Sequence, residues 1–283
     1  MEKQGKLYVV ATPIGNMDDI TLRALNVLKT VDLVAAEDTR ITGKLFSLHN
    51  IGTKLISFYE HNESERIPGL IRKLEQGLSL AVVSDAGTPS VSDPGYRLVA
   101  AAIAKNIDVV PVPGVSAAVS AVSVSGLPTD AFLFVGFPPK KKSRRLNRLK
   151  ELAAESATLV FYESPKRVLS FMEEIIRIMG DRRSVLGREM TKRHEEFLRG
   201  PLSEILSALK ERPSVKGECT LLIKGCEAHR EFSLEMIRNE IEEALKRPEA
   251  RLSEESKKIS EKYDLPKKTV YEEALRIKKA LDV

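Results

Sequence analysis

The chain has 283 residues, 42% hydrophobic and 30% charged, the make-up of a soluble globular protein with room for two domains of ordinary size. Its apolar runs fall far short of the roughly 20 residues that a membrane helix needs, no secretory segment opens it, and Cys219 and Cys226 form no CxxC pair. The expectation is therefore a cytoplasmic protein with no membrane span, no disulfide and no structural metal.

In chain order, short apolar runs at 7–11, 31–36, 78–83 and 107–112 read as buried strands. Between them, Asp18-Asp19 is expected to cap a helix carrying Ile20, Ala24, Leu28 and Val31. Further helices are expected over 66–76, stopped by Gly77, and over 96–105. This β-α-β-α-β alternation predicts a mostly parallel sheet with helical crossovers. A small-residue helix follows over 115–124, then strands at 131–137, 157–162, 184–187, 196–199 and 218–224. Ser164-Pro165 is read as a helix start, with Ser as N-cap, and Gly180 as its stop. The close strands around 188–195 suggest a hairpin, so the second sheet is expected to be mixed. Helical patterns at 234–246, 253–263 and 269–280 close the chain, the last opened by a capping box from Thr269 to Glu272. The link Asp264-Leu265-Pro266 resembles a helix-turn-helix unit, but the tail's near-neutral charge favours a small bundle. The resulting division is 1–113, 114–226 and 227–283: two α/β domains with a cleft between them and a helical C-terminal domain.

Chemistry concentrates where the first strands stop. They run into Thr12-Pro13-Ile14-Gly15-Asn16, Glu37-Asp38-Thr39-Arg40, Ser84-Asp85-Ala86-Gly87-Thr88-Pro89 and Pro113-Gly114-Val115-Ser116-Ala117. In a parallel α/β sheet, ligands bind outside the carboxyl ends of the strands. No GxGxxG, P-loop or HExxH occurs, which excludes the usual dinucleotide, nucleoside triphosphate and zinc-protease fingerprints.

The net charge of +5 is uneven, since residues 114–226 carry 20 basic and 13 acidic side chains against 12 and 13 in residues 1–113. Lys140, Lys141, Lys142, Arg144, Arg145 and Arg148 lie together with no acid among them. Such a cluster suits a phosphate backbone; the bland alternative is a solvated loop. With six Tyr, nine Phe and no Trp, recognition of RNA by shape and backbone is expected over extensive base stacking.

The strings Leu7 to Asn16, Ala36 to Arg40, Ser84 to Pro89, Ser92 to Gly95, Pro113 to Ala117, Phe161 to Arg167 and Arg188 to Met190, taken in order, resemble the ribosomal RNA small subunit methyltransferase I family. That family belongs to the tetrapyrrole-methylase-like group of S-adenosylmethionine (AdoMet) methyltransferases. The resemblance covers about residues 6–226. It implies AdoMet in the cleft, a homodimer, and methyl transfer to the ribose 2′-hydroxyl of a cytidine in the decoding region of small-subunit rRNA, on the RNA or the 30S particle. Carried over by position, Pro13 would line the cleft. Asp85, Ala86, Gly87 and Thr88 would grip the amino-acid part of the cofactor, helped by Ser116 and Ala117. Tyr162, Met190 and Thr220 would enclose its adenosine.

For the proton of the hydroxyl, the carboxylates of Glu37 and Asp38 are the first candidates, with Arg40 holding a phosphate or its partner carboxylate, and Glu189 is the second. The plainer reading is that Asp38 and Arg40 form a pair that caps a helix. Rivals to the whole reading are a tetrapyrrole (precorrin or uroporphyrinogen type) methyltransferase and a non-catalytic rRNA-binding factor.

Overall fold

The strands β1 (Leu7–Val10), β2 (Leu33–Ala36), β3 (Leu55–Ser57), β4 (Leu80–Val83) and β5 (Val109–Val112) form one sheet in the order β3-β2-β4-β1-β5. Every pairing in it is parallel. The computed structural model describes residues 4–226, 234–245, 251–263 and 265–281.

Successive side chains of a strand point to opposite faces, and this sheet is covered on both. Leu7, Leu33, Leu80 and Val82 face α3 (Glu63–Glu75) and α4 (Tyr96–Ala104) through Leu70, Leu74, Leu98 and Ala102. Val10, Val34, Ala81 and Val83 face α1 (Leu22–Thr30) and α2 (Thr39–Leu48) through Ala24, Leu28 and Phe46. Two-sided burial explains why β2 and β4 read as unbroken apolar runs rather than alternating ones.

After α5 (Ala117–Ser123) the second sheet begins, with β6 (Phe132–Gly136), β7 (Thr158–Glu163), β8 (Arg183–Arg188), β9 (Glu196–Pro201) and β10 (Cys219–Ile223) in the order β6-β7-β10-β8-β9. Only β6 and β7 run parallel, so the sheet is mixed as its hairpin predicts. Leu159, Phe161, Leu186 and Leu221 pack on α6 (Lys142–Leu152), α7 (Val168–Met179) and α8 (Leu202–Lys210). The opposite face carries Val160, Val185 and Leu222, which meet Ala118, Ala121 and Val122 of α5 and also Ile14 from the first sheet's loop. That shared cluster joins the two sheets and borders the cleft.

The chain divides into two compact units, Met1–Cys226 and Glu227–Val283. The second contains α9 (Leu234–Leu245), α10 (Leu252–Tyr263) and α11 (Lys267–Leu281), closed around Ile237, Ile241, Ile259, Val270 and Ala274. Among the described residues no helix is long and apolar enough to cross a membrane.

Several boundaries differ from expectation, each for a local reason. The first helix starts at Leu22 because the Thr21 hydroxyl, not Asp18 or Asp19, accepts the Ala24 N–H at 3.0 Å. Ser164-Pro165 forms a turn before α7, since the Ser164 carbonyl accepts the N–H groups of both Arg167 and Val168. Buried Glu163 holds that turn, accepting the Ser164 N–H at 2.6 Å and Arg167 Nε at 2.8 Å. The last helix begins two residues before Thr269, and the Pro266 carbonyl takes the Thr269 N–H, so the expected capping box is absent. Asp264, in the link read as helix-turn-helix-like, lies outside the described residues. The elements β3, α2, α6 and α8 go beyond those expected from the sequence.

Candidate active site

The loops after β1 and β4 are stitched together. Thr12 and Gly87 exchange backbone hydrogen bonds of 2.8 and 2.9 Å, and Thr12 Oγ1 donates to the Ser84 carbonyl at 3.1 Å. Gly87 makes this possible at a φ of +77°, a conformation that costs other residues a clash with their own Cβ. Thr88 Oγ1 donates to the Val115 carbonyl at 3.3 Å and so ties in the loop after β5. From the second sheet, Tyr162 near the end of β7 meets Phe134 edge-on, their ring centroids 5.0 Å apart, and its phenolic oxygen accepts the Ala118 N–H at 3.0 Å.

These parts enclose a cavity of about 380 Å³, within the range of small-molecule sites. Asp85, Ala86, Gly87, Thr88, Ser116 and Ala117 line it from the first sheet's loops, and Tyr162, Met190 and Thr220 line it from the second sheet. The structure thus brings together nine of the ten residues expected at the cofactor. Pro13 is the exception: it is buried outside the lining, and Ile14 occupies the place expected for it.

Of the residues expected to handle the proton, only Glu37 lines the cavity. Burial pushes its carboxyl up from the ordinary value, against a hydrogen bond from the Asp85 backbone N–H at 3.1 Å. Asp85 in turn accepts the Asp38 N–H at 2.9 Å, and burial raises its carboxyl too. Asp38 is the N-cap of α2, accepting the Arg40 N–H at 2.8 Å while Arg40 Nη2 donates to it at 2.6 Å. Arg40 holds the Asp38 carboxyl down at about 2, too weak a base to compete with Glu37. Neither member of this exposed pair lines the cavity; the plainer reading of Asp38 and Arg40 describes their geometry. Glu189 is also spent elsewhere. It accepts the Glu218 N–H and Lys192 Nζ, both at 3.0 Å, and these bonds hold its carboxyl below the usual range. Its neighbour Met190 reaches the cavity instead.

Asp93 lies in Ser92-Asp93-Pro94-Gly95, one of the strings that carry the family resemblance, but no role was expected of it. The structure sets Asp93 in the cavity lining, where burial, then the charges of Glu37 and Asp85, push its carboxyl up to about 7 against a hydrogen bond from the Ser84 hydroxyl. Its loop is strained, with Ser90 and Ser92 at φ of 69° and 64°; such backbone is kept where the surrounding structure imposes it, often at functional sites. A third acidic residue in a Ser/Pro/Gly loop at a strand end was the available signal.

The architecture and its cleft match a known group, for residues 6–206 fit the family described as tetrapyrrole (corrin/porphyrin) methylases. The chain belongs to the tetrapyrrole methylase family. Within this methylase family it is similar to proteins named ribosomal RNA small subunit methyltransferase I. One from Halalkalibacterium halodurans is 48% identical over 79% of this chain and 77% of its own. Another, from Synechocystis, is 43% identical over 96% and 98% respectively. Among solved methylase structures, a cobalamin biosynthetic enzyme, cobalt precorrin-4 methyltransferase, aligns with a TM-score of 0.58 at 20% identity, covering 77% of this chain and 94% of its own. A uroporphyrin-III C-methyltransferase from Thermus thermophilus, complexed with S-adenosylhomocysteine, aligns at 0.54 and 20%, covering 77% and 97%. These two likenesses speak for the methylase fold.

The basic stretch of this methylase forms the start of α6 rather than a loop. Lys140, Lys141, Lys142, Arg144 and Arg148 are exposed, and Arg148 pairs with Glu151 at 2.8 Å. Arg145 departs from expectation. It turns inward to Glu174 with hydrogen bonds of 2.6 and 2.8 Å, and the two side chains are 12% and 9% exposed. An isolated carboxylate buried there would be costly, so Arg145 is committed to Glu174 and is withdrawn from the surface set.

Proposed function

We propose that this chain is an AdoMet-dependent methyltransferase acting on the ribose 2′-hydroxyl of a cytidine in the decoding region of small-subunit rRNA. The cavity that carries this reading draws its walls from both sheets, with 1–113 and 114–226 as the two halves of the cleft, in a chain whose close relatives bear the rRNA methyltransferase name. A cytoplasmic homodimer is part of the same proposal, to be checked by sedimentation velocity.

The lining fits a cationic amino-acid-nucleoside donor. Glu37, Asp85 and Asp93 favour positive charge, Ala86 and Gly87 let backbone approach closely, and Tyr162 and Met190 offer apolar faces to a flat base. Bound there, AdoMet supplies a sulfonium-activated methyl carbon as the electrophile. The protein's part is alignment, proton removal and charge. Holding the hydroxyl in line contributes roughly 7–11 kcal/mol at most. A general base adds about 10²–10⁴-fold, most effectively when its pKa lies near the working pH. Asp93 meets that condition, so the Asp93 carboxylate accepts the hydroxyl proton, kept basic first by its burial and then by the charge of Glu37 in the same lining. Asp38, Arg40 and Glu189 support loops and hold no proton in this scheme. The exposed Lys140, Lys141, Lys142, Arg144 and Arg148 supply phosphate contacts.

Incubation with labelled AdoMet and, in parallel, isolated small subunits, naked rRNA and a tetrapyrrole precursor tests the reading. Label in small-subunit rRNA, mapped to a cytidine ribose, is expected. Label only in the macrocycle would replace this function with tetrapyrrole methylation. No calorimetric binding of AdoMet would leave a non-catalytic rRNA-binding factor.

A further inference from the structure

Phe137 combines two properties that are rarely found together. The residue is 57% exposed, yet it lines the cavity and its ring meets Tyr162 edge-on with centroids 5.6 Å apart. The backbone on both sides is held. Gly136 adopts φ +71° so close to the strained loop that a Cβ would stand 2.7 Å from Ser92 Oγ. On the other side Pro138 is buried, and Arg145 Nη1 donates to the carbonyls of Pro139 and Lys140 at 3.2 and 3.0 Å. The buried Arg145–Glu174 pair therefore pins the turn that presents the ring. A phenylalanine fixed toward solvent gives up the burial that Phe161 and Phe171 obtain in the core. Val91, 43% exposed and also in the lining, extends the apolar rim.

Charge follows directly in the chain. Lys140, Lys141, Lys142 and Arg144 are exposed, and α6 opens with no acid in its first turn. Cations crowded at the positive end of a helix oppose the helix dipole, and phosphates on either side of a bound nucleotide relieve that conflict.

We propose that Phe137 is the stacking platform for the base of the nucleotide being methylated. This rests on the RNA-methylation reading above and adds to it a base subsite at the cavity mouth. A ribose hydroxyl enters an enclosed cavity only when its nucleotide leaves the RNA stack. The base then loses its stacking partners, and an exposed aromatic ring replaces one of them. A single ring is compatible with RNA recognition carried mainly by backbone contacts.

The test compares Phe137→Ala, Phe137→Leu, Phe137→Tyr and Phe137→Trp with the parent full-length protein. It measures kcat/KM for the labelled RNA substrate and, by calorimetry, the Kd for AdoMet. Phe137→Ala and Phe137→Leu are expected to lower kcat/KM about 5–150-fold, the span of one lost base–aromatic stack, with donor affinity within about twofold of the parent. Phe137→Tyr and Phe137→Trp are expected to restore it. Parallel loss of AdoMet affinity would place the ring on the donor and overturn the proposal. Full activity of Phe137→Leu would reduce the ring to apolar filler, and full activity of Phe137→Ala would remove it from the substrate path. A parent protein that binds AdoMet but methylates no RNA would instead overturn the underlying function.

Discussion

Gly15, in the loop after β1, lies so close to Lys192, after β8, that a Cβ on Gly15 would stand 2.4 Å from Lys192 Cγ. Beside this contact the Asn16 N–H donates to Thr191 Oγ1 at 3.0 Å. Lys192 is held in turn by Glu189 and Glu218, each at 3.0 Å. Here the first sheet seats on the loop that carries Met190 into the cavity. Gly15→Ala is therefore expected to wedge the two loops apart, costing about 1–3 kcal/mol as overpacking does and weakening AdoMet binding. Urea midpoints and calorimetry check it; an unchanged Kd would show that the loops move apart without disturbing the site.

The titration of Asp93 gives a pH signature. An acid whose pKa is higher folded than unfolded binds its proton preferentially in the native state, so stability falls as pH rises between the two values and is level above them. For Asp93 that window runs from its ordinary 3.8 to about 7. Asp93→Asn is expected to raise Tm relative to the parent at pH 8 and to leave the two alike near pH 4. Turnover of the parent should rise through pH about 7 and then level, as for a base that must lose its proton. In Asp93→Asn turnover should fall by about 10²–10⁴-fold, with the inflection gone. An inflection that survives in this variant would assign the proton to Glu37.

Arg145 and Lys142 begin the same basic helix and should behave oppositely. Removing Arg145 strands the Glu174 carboxylate, whose side chain is 9% exposed. Arg145→Ala is expected to cost about 3–5 kcal/mol of folding stability. Lys142→Ala should leave stability unchanged and weaken RNA binding. Reversing Lys140, Lys141, Lys142 and Arg144 together should also flatten the dependence of binding on salt. Filter binding across a salt series, beside thermal melts, separates the two roles. An unchanged slope would make the surface charges bystanders.

Asp38 and Glu37 are adjacent, and only one of them faces the cavity. Asp38→Ala removes the N-cap of α2 and is expected to cost about 0.5–2 kcal/mol while turnover persists. Glu37→Gln should lower turnover with little loss of stability. Steady-state kinetics and denaturant melts on the two variants check this; a large loss of turnover in Asp38→Ala would return that residue to the chemistry.

The strands were legible because burial on both faces demands unbroken apolar runs such as 80–83, and the loops were legible because they stop at the same edge of such a sheet. The three-residue β3 was not, since its half-buried side chains carry too short a pattern. The helix α6 was hidden because its exposed face is nearly all basic and only Leu149 and Leu152 are fully buried. Asp93 and Phe137 were missed for another reason. Loop composition marked Asp93 as a candidate but not what it faces, and nothing near Phe137 marked it at all, because their neighbours in the cavity come from β7 and from the loops after β2 and β4.

Local patterning by itself determined the two α/β sheets and the strand-end loops, since periodicity and loop composition act over short stretches of chain, while the residues expected at the cofactor came from the family resemblance. Tertiary structure alone decided which carboxylate is basic and which arginine is spent. It made Asp93 a better proton acceptor than Asp38, and turned Arg145 inward while Lys142 stayed in water. Charge and solvation depend on groups that meet across distant parts of the chain, and no local pattern encodes that meeting.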